Sequence, residues 1–185
     1  MDETMEWQGV TQKNVYSVDI NNHLANITEI SKRSNWQGLF DILKDESKYV
    51  NFFNPSEDLW YAPLHYAAEE GASDIIIRKL IEMGSWRTLR TAKGERAVDI
   101  VARKGHTNLV DILKPVLHYS IATDRLAQMQ KFFHKYIIRR TETLVKDYKL
   151  RLPDLEPLLE MRNSKIWFPV PGMMGGFSYW TEEKE

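Results

Sequence analysis

Cysteine and long apolar runs are both missing from this sequence. None of its 185 residues is Cys, which excludes disulfide frameworks, thiolate zinc sites, iron–sulfur clusters and a cysteine nucleophile. The longest apolar stretches, such as residues 136–138, fall far short of the roughly 20 residues that span a bilayer. Residues 1–6 are acidic and lack the apolar core of a signal peptide. We therefore expect a cytoplasmic protein without a membrane segment, whose folded part starts near Val15.

An excess of charge of one sign is also missing. The sequence has 25 Lys and Arg against 26 Asp and Glu, a net charge of −1, so the whole molecule has no electrostatic drive toward nucleic acid or a membrane surface. The balance hides charge blocks, with net charges of −5 over residues 1–60, +2 over 61–120, +5 over 121–152 and −3 over 153–185. Such blocks usually belong to solvated helix faces and less often to a partner patch.

What the sequence does contain is an internal repeat of 34 residues. The segment YAPLHYAAEEG at 61–71 aligns with ERAVDIVARKG at 95–105. A fixed period of this length is typical of stacked repeat proteins. The aligned pairs are Leu64 with Val98, Ala68 with Ala102, and Gly71 with Gly105.

Each copy predicts two antiparallel helices. Pro63 fits the first position of a helix, where its missing N–H costs nothing, and Gly71 fits a left-handed cap after that helix. A second apolar helix follows each glycine, over residues 74–83 and 108–113. The stripe expected on the first of these comprises Ile75, Ile76, Leu80 and Ile81. Helix pairs of this kind cannot bury their apolar faces alone, so the units must stack.

At these residues the sequence resembles the ankyrin repeat, whose motif is Thr-Pro-Leu-His-x-Ala-Ala-x-x-Gly-His. The first copy matches at 63–65, 67–68 and 71. It has Ala62 in place of the Thr, which puts the usual bond between that hydroxyl and the histidine in question. The second copy is weaker and carries Asp99 at the histidine position. A degenerate copy precedes both, with helices predicted over residues 20–33 and 35–43.

The resemblance implies a mainly α fold, an ankyrin-type α-solenoid of about three repeats over residues 20–116. The N-terminal segment, residues 1–19, precedes it. The three repeats are assigned to residues 20–55, 57–91 and 92–116.

Residues 117–185 predict a C-terminal helix followed by an aromatic hairpin. One long helix, straight or kinked, is expected over 120–149, with an apolar face at Leu126, Met129, Phe133, Tyr136 and Ile137. Aromatic segments flank a Pro-Gly…Gly-Gly turn within 166–180, which predicts a β-hairpin. Pro169 places the first strand of the hairpin at a sheet edge. We expect this unit to pack on the repeats and to cap the last one.

This region carries a second resemblance. The segments LPDLEPL at 152–158 and FPVPGMMGGF at 168–177 resemble the ends of bacterial ankyrin-containing proteins. No reaction is implied by that resemblance.

The histidines do not predict a metal site. His65 and His106 occupy ankyrin consensus positions, where the imidazole hydrogen-bonds turns. His118 and His134 lie 16 residues apart, with no further ligand at metal-binding spacing beside them. We therefore expect no metal and no cofactor.

Catalysis is not expected either. Glu156 and Glu160 lie one helical turn apart and could converge, but paired carboxylates are common on solvated helices. Ser164 and Ser178 have no evident base. The alternative function is an enzyme or small-ligand protein that uses the hairpin, which requires a deep polar cleft near residues 172–177 with convergent Glu156, Glu160 or His134.

Nucleic acid is not an expected partner. The predicted C-terminal helix is basic and interleaves Arg139 and Arg140 with Phe132, Phe133 and Tyr136. Those aromatic residues fall on the apolar stripe, so we interpret them as core rather than as a base-stacking surface.

The remaining class is a non-catalytic module for protein–protein interaction. In the ankyrin fold, partners bind hairpin tips and the first-helix residues of the concave face. The resemblance implies that the partner-binding residues are Asp58, Leu59, Trp60, Tyr61, Glu69, Glu70, Trp86, Lys93, Glu95, Arg103 and Lys104. Of these, Trp60 and Trp86 either anchor a partner or pack under the next element.

A second candidate patch lies in the hairpin and comprises Trp167, Met173, Met174 and Phe177. We expect a monomer whose partner is another protein. For a small bacterial ankyrin protein, one setting that the resemblance implies is the neutralisation of a toxin or effector by an immunity-type protein.

Overall fold

The computed structural model describes residues 4–162 and 165–181, which are mainly helical and include a small three-stranded sheet. The prediction of a mainly α fold is confirmed at that level. The chain divides into two compact units. Residues 16–116 form one, the repeat unit, and the residues up to Val15 together with those from Leu117 onward form the other, the sheet unit. In the described part of the chain no helix is long and apolar enough to cross a membrane.

Three helix pairs follow one another in the repeat unit. Within each pair the two helices contact each other, and the first helices of the pairs contact in the order α1, α3, α5. A 3-10 turn at Thr107–Leu109 leads into the last helix. The pairs are α1 (Val18–Lys32) with α2 (Trp36–Asp45), α3 (Pro63–Glu69) with α4 (Asp74–Glu82), and α5 (Ala97–Lys104) with α6 (Val110–Leu113).

Local side chains fix where these helices begin. The Ser17 hydroxyl accepts a hydrogen bond from the Ile20 N–H at 3.3 Å, and the Asn35 side chain accepts one from the Gly38 N–H at 3.2 Å. Both are typical N-caps. Pro63 is the first residue of α3, as its missing N–H predicts.

The apolar stripe of α4 differs from the predicted one. Ile77 and Leu80 are fully buried, whereas Ile75 is 72% exposed. Residues 75 and 77 lie on opposite sides of a helix. Because α4 faces α3 and α6 through Ile77 and Leu80, Ile75 points to solvent.

Gly71→Ala is expected to destabilise the repeat unit more than Gly105→Ala. Both glycines have positive φ, 61° and 81°, where alanine costs about 1–2 kcal/mol. A Cβ on Gly71 would lie 2.6 Å from the His106 ring, whereas one on Gly105 meets nothing within 4 Å. We expect losses in unfolding free energy of about 2–4 kcal/mol for Gly71→Ala and about 1–2 kcal/mol for Gly105→Ala. Urea unfolding measures both, and equal losses would show that the His106 ring yields without cost.

The described residues of the sheet unit include three strands in the order β1-β2-β3. They are β1 (Thr4–Glu6), β2 (Lys165–Pro169) and β3 (Gly176–Trp180). The antiparallel pair of β2 and β3 places Phe168 opposite Phe177, which confirms the predicted hairpin.

The N-terminal strand is a correction to the sequence-based expectation. β1 pairs in parallel with β2. The folded part therefore includes residues from Thr4 onward and does not start near Val15. The pairing with β1 also makes β2 the central strand rather than an edge strand. Pro169 is tolerated there because β1 reaches only as far as Trp167, whose carbonyl accepts the Trp7 N–H at 2.8 Å.

Trp7 anchors the segment that follows β1. Its ring is 1% exposed, and the indole N–H donates to the Arg151 carbonyl at 3.2 Å. The Arg151 guanidinium lies 4.6 Å from the ring centroid, within the range of a cation–π contact. Two residues further on, the Gly9 carbonyl accepts the Arg151 N–H at 2.7 Å.

Helices in the sheet unit are shorter than predicted. The expected helix over 120–149 is divided into α7 (Thr123–Thr141) and α8 (Leu144–Asp147). The break falls at Glu142, whose φ of 52° cannot continue a right-handed helix. A short helix, α9 (Glu156–Glu160), follows. Ile137 of α7 is fully buried, as are Ile166 and Phe168 of β2.

Candidate functional site

The 34-residue period sets equivalent side chains of two repeats next to each other. α3 contacts α5 along the stack. Position 69 is therefore beside position 103, and position 61 beside position 95. The occupants are Glu69 and Arg103 at one pair and Tyr61 and Glu95 at the other. Opposite charges therefore face each other across the repeats at the first pair.

These side chains, together with Lys104, form one connected cluster, which we name the Arg103 network. Arg103 Nε donates to Glu95 Oε1 at 2.9 Å, and its Nη2 reaches Glu69 Oε2 at 3.3 Å and the Tyr61 hydroxyl at 3.4 Å. Lys104 Nζ lies 2.7 Å from Glu69 Oε1. The Tyr61 hydroxyl donates to Glu69 Oε2 at 3.3 Å. Five of the eleven predicted partner-binding residues thus meet in one place.

The electrostatics of the network fix its protonation. Burial, reinforced by the charge of Glu69, raises the pKa of Tyr61, so its hydroxyl stays protonated and can donate. Burial acts to raise the pKa of Glu69, but the hydrogen bond and charge of Lys104 and the charge of Arg103 outweigh it and hold that pKa below its ordinary value of 4.5. The network is therefore ionised and internally compensated at neutral pH.

The lowered pKa of Glu69 predicts a pH-dependent contribution to stability. A depressed carboxyl pKa stabilises the fold above the pKa of the unfolded state, and the contribution is lost as the pH falls through the folded-state value. We expect the wild-type protein to be more stable than Glu69→Gln at pH 7, and the difference to shrink toward zero at pH 3. Urea unfolding at both pH values checks this, and a difference that is the same at pH 3 would contradict it.

Thr91 holds together the turn over residues 91–95, which lies next to this cluster. Its hydroxyl accepts the N–H groups of Lys93 and Glu95 at 3.2 and 3.3 Å, and Gly94 takes a φ of 78° in the turn. The two successive tips are joined by the Ala92 N–H, which donates to the Leu59 carbonyl at 3.0 Å. Lys93 is therefore displayed on an ordered turn.

The two tryptophans of the predicted surface pack within the repeat unit. Trp60, at the position equivalent to Gly94, has a φ of 54° and is half-buried, with its ring stacked on Phe53 at 5.3 Å between centroids. Trp86 is only 4% exposed, and its backbone N–H donates to Asn51 Oδ1 at 2.8 Å. Of the two interpretations, packing under a neighbouring element describes Trp86. The predicted residues that are solvent-exposed beside the network are Asp58, Leu59, Glu70 and Lys93.

His65 supports the scaffold beneath this surface. It is 1% exposed. Its Nδ1 accepts the Ala62 N–H at 3.1 Å, which leaves the proton on Nε2 to donate to the Leu89 carbonyl at 3.1 Å. The backbone of Ala62 thus engages the ring although the threonine hydroxyl is missing. In the next repeat Asp99 Oδ2 accepts the Arg96 N–H at 2.8 Å, the same role at the equivalent position.

The second candidate patch does not form one surface. Side chains alternate between the two faces of a strand, so Trp167 lies on the face opposite to the one that Phe177 shares with Phe168. Met173 and Met174 lie in the turn, where Met174 is fully exposed.

The structure shows close packing at two of the residues on which the alternative function depends, Gly172 and His134. A Cβ on Gly172 would lie 3.0 Å from the side chains of Leu144 and Tyr148. His134 Nε2 is 2.9 Å from the Pro153 carbonyl, which also accepts the side-chain amide of Gln130 at 2.7 Å. Ser164 lies outside the described residues. Within residues 4–162 and 165–181, no three His, Asp and Glu side chains are grouped so that they could hold a metal ion.

Comparison of the chain with protein-family models, with curated proteins and with solved structures gives no match in any of the three.

Proposed function

We propose that the repeat unit is an ankyrin-type solenoid that binds a partner protein, without catalysis, through the face that carries the Arg103 network. The observation that carries the proposal is the network itself, which links the equivalent positions of two repeats on one solvent-accessible face. The ordered tips and the shared role of His65 and Asp99 support the ankyrin-type interpretation of the scaffold.

The network favours binding because its side chains are already ordered. Immobilising a long charged side chain at an interface costs about 0.5–1.5 kcal/mol. Arg103, Lys104 and Glu69 are held in place before any partner arrives. Arg103 uses Nε and Nη2 within the network, and its Nη1 forms no hydrogen bond with any residue that the structure describes. That group is available for a carboxylate or carbonyl of a partner.

Neutralisation of a toxin or effector is the setting that we propose for this activity, with the protein acting as a cytoplasmic monomer. A rigid, pre-ordered surface suits tight one-to-one binding, because little conformational entropy is lost when the complex forms. The mixture of both charge signs and the apolar Leu59 suits recognition of one specific surface rather than attraction to any charged polymer.

Charge reversal within the network tests the proposal. Tagged wild-type protein and the Glu69→Arg/Arg103→Glu variant are used to recover partners from the native cell, and affinity for each recovered partner is then measured. Tyr61 is left intact because it is 5% exposed and its loss would disturb the fold. We expect at least a 10-fold weaker affinity for the variant.

The matched control reverses two exposed charges elsewhere, Arg78→Glu/Glu82→Arg on α4. It is expected to bind as the wild type does. Equal recovery of the same partners by the wild type and the network variant would contradict the proposal.

A further inference from the structure

α7 carries an exposed apolar strip in the sheet unit, separate from the surface proposed above. Phe132 is 70% exposed, Tyr136 56% and Met129 44%. The three are spaced by three and four residues, so they lie on one side of the helix. The expectation that Met129, Phe132 and Tyr136 belong to the core is therefore wrong. The sheet unit covers α7 at Ile137, which is fully buried, and at Phe133, whose ring lies 4.9 Å from that of Tyr179. The Tyr136 ring meets that of Phe177 edge-on at 6.0 Å between centroids and stays more than half exposed.

The strip continues in heptad spacing to an arginine at each end. Arg125, Met129, Phe132, Tyr136 and Arg139 follow one another at intervals of four, three, four and three residues. This is the spacing of the seam along which two helices of a coiled coil pack. The central three positions are apolar and the outer two are basic, over a length of about 21 Å.

Two of the positions that flank the seam, Lys135 and Arg140, are basic like the seam's two ends. Lys135 and Arg140 occupy the places next to the seam whose charges select the partner helix in a coiled coil. Lys135, Arg140 and the two seam arginines are exposed. None of the four forms an ion pair with a residue in the described part of the chain. Their charge is therefore not compensated within the described residues.

We propose that α7 docks an acidic amphipathic helix of another protein. The apolar positions of that helix would pack on Met129, Phe132 and Tyr136, and its carboxylates would meet Arg125 and Arg139 at the two ends. The exposed ring of Phe132, at the centre of the strip, is the anchor. Thioether and aromatic side chains at the other two apolar positions adapt to the partner's shape.

Other occupants fit the strip less well. A second copy of this chain would bring arginines against arginines in either helix orientation, because both ends of the seam are basic. The two seam arginines, Arg125 and Arg139, each lie seven residues from Phe132 and on the same side of α7. A membrane that buried the Phe132 ring would therefore also have to bury two guanidinium groups. A nucleic acid carries charge at every nucleotide, whereas the middle of this seam has no basic residue.

A designed peptide tests the proposal with the full chain. The probe is a fluorescein-labelled helical peptide with leucine at the three central seam positions and glutamate at the outer seam and flanking positions. Its binding is followed by fluorescence anisotropy. We expect saturable binding in the micromolar range, and at least 10-fold weaker binding by Phe132→Ala and by Arg139→Glu.

Matched controls separate the strip from general stickiness. Ile138→Ala removes an exposed apolar side chain of the same helix outside the seam and should bind as the wild type does. A peptide with lysine in place of each glutamate should not bind. The proposal is overturned if the acidic peptide shows no saturable binding, or if Ile138→Ala loses as much affinity as Phe132→Ala. It is also overturned if phosphatidylglycerol vesicles, a single-stranded oligonucleotide or a second copy of the chain bind the strip more tightly than the peptide does.

Discussion

His65→Ala is expected to lower the free energy of unfolding of the repeat unit by about 3–5 kcal/mol. The imidazole joins the start of α3 to the Leu89 carbonyl, and it is buried. Its removal leaves a buried N–H on Ala62 and a buried carbonyl on Leu89 without their partner. Each such group costs about 1–3 kcal/mol, and the vacated ring volume adds to the loss. Urea unfolding followed by circular dichroism measures the change.

Asp99→Ala is the matched control, because Asp99 holds the equivalent position one repeat later. It is solvent-exposed and accepts the Arg96 N–H at the start of α5, so we expect a loss of about 1 kcal/mol, the net contribution of one ordinary hydrogen bond. Equal losses for the two variants would show that the hydrogen bond of His65 to the Leu89 carbonyl does not stabilise the repeat unit.

Trp7→Ala is expected to destabilise the sheet unit by about 3–5 kcal/mol. The substitution removes a buried ring, the indole hydrogen bond to the Arg151 carbonyl and the surface on which the Arg151 guanidinium lies. Burial lowers the pKa of Arg151, and Asp154, 3.2 Å away, opposes that shift; the ring face of Trp7 is a further contact of the buried guanidinium. Thermal unfolding followed by tryptophan fluorescence measures this loss of stability.

Trp180→Ala provides the comparison for Trp7. Its ring is half-exposed and lies near the Lys165 ammonium at 5.4 Å. A contact of this kind at an exposed site is worth about 0.5–1 kcal/mol. If Trp7→Ala costs no more than Trp180→Ala, the N-terminal segment is not an integral part of the sheet unit.

Local signals predicted the elements that local chemistry determines. Pro63 and Gly71 bracket α3, and the glycine-rich turn between aromatic segments gives the β2–β3 hairpin. β1 escaped prediction because its three residues are too few to show alternation and its partner strand lies about 160 residues away in the sequence. Pro169 then indicated an edge strand, since nothing in the sequence shows that β1 ends before reaching it.

The candidate site was predictable as a set of positions but not as a network. The resemblance to the ankyrin repeat implied Tyr61, Glu69, Glu95 and Arg103 as surface positions, and only the structure shows that their opposite charges pair. The burial of Trp86 depends on Asn51, 35 residues earlier, which no periodicity indicates. On α7 the periodicity marks an apolar face that is wider than the sheet unit covers, so part of it stays exposed.

Site-specific photocrosslinking in the native cell tests the central claim most directly. In one variant a benzophenone amino acid replaces Glu70, which is exposed beside the Arg103 network. In a second variant it replaces Ile75, which is exposed on α4. If a partner binds the network face, position 70 yields a discrete crosslinked protein that disappears in the Glu69→Arg/Arg103→Glu background, and position 75 yields none. Identical products from the two positions, or no product from position 70, would contradict the account.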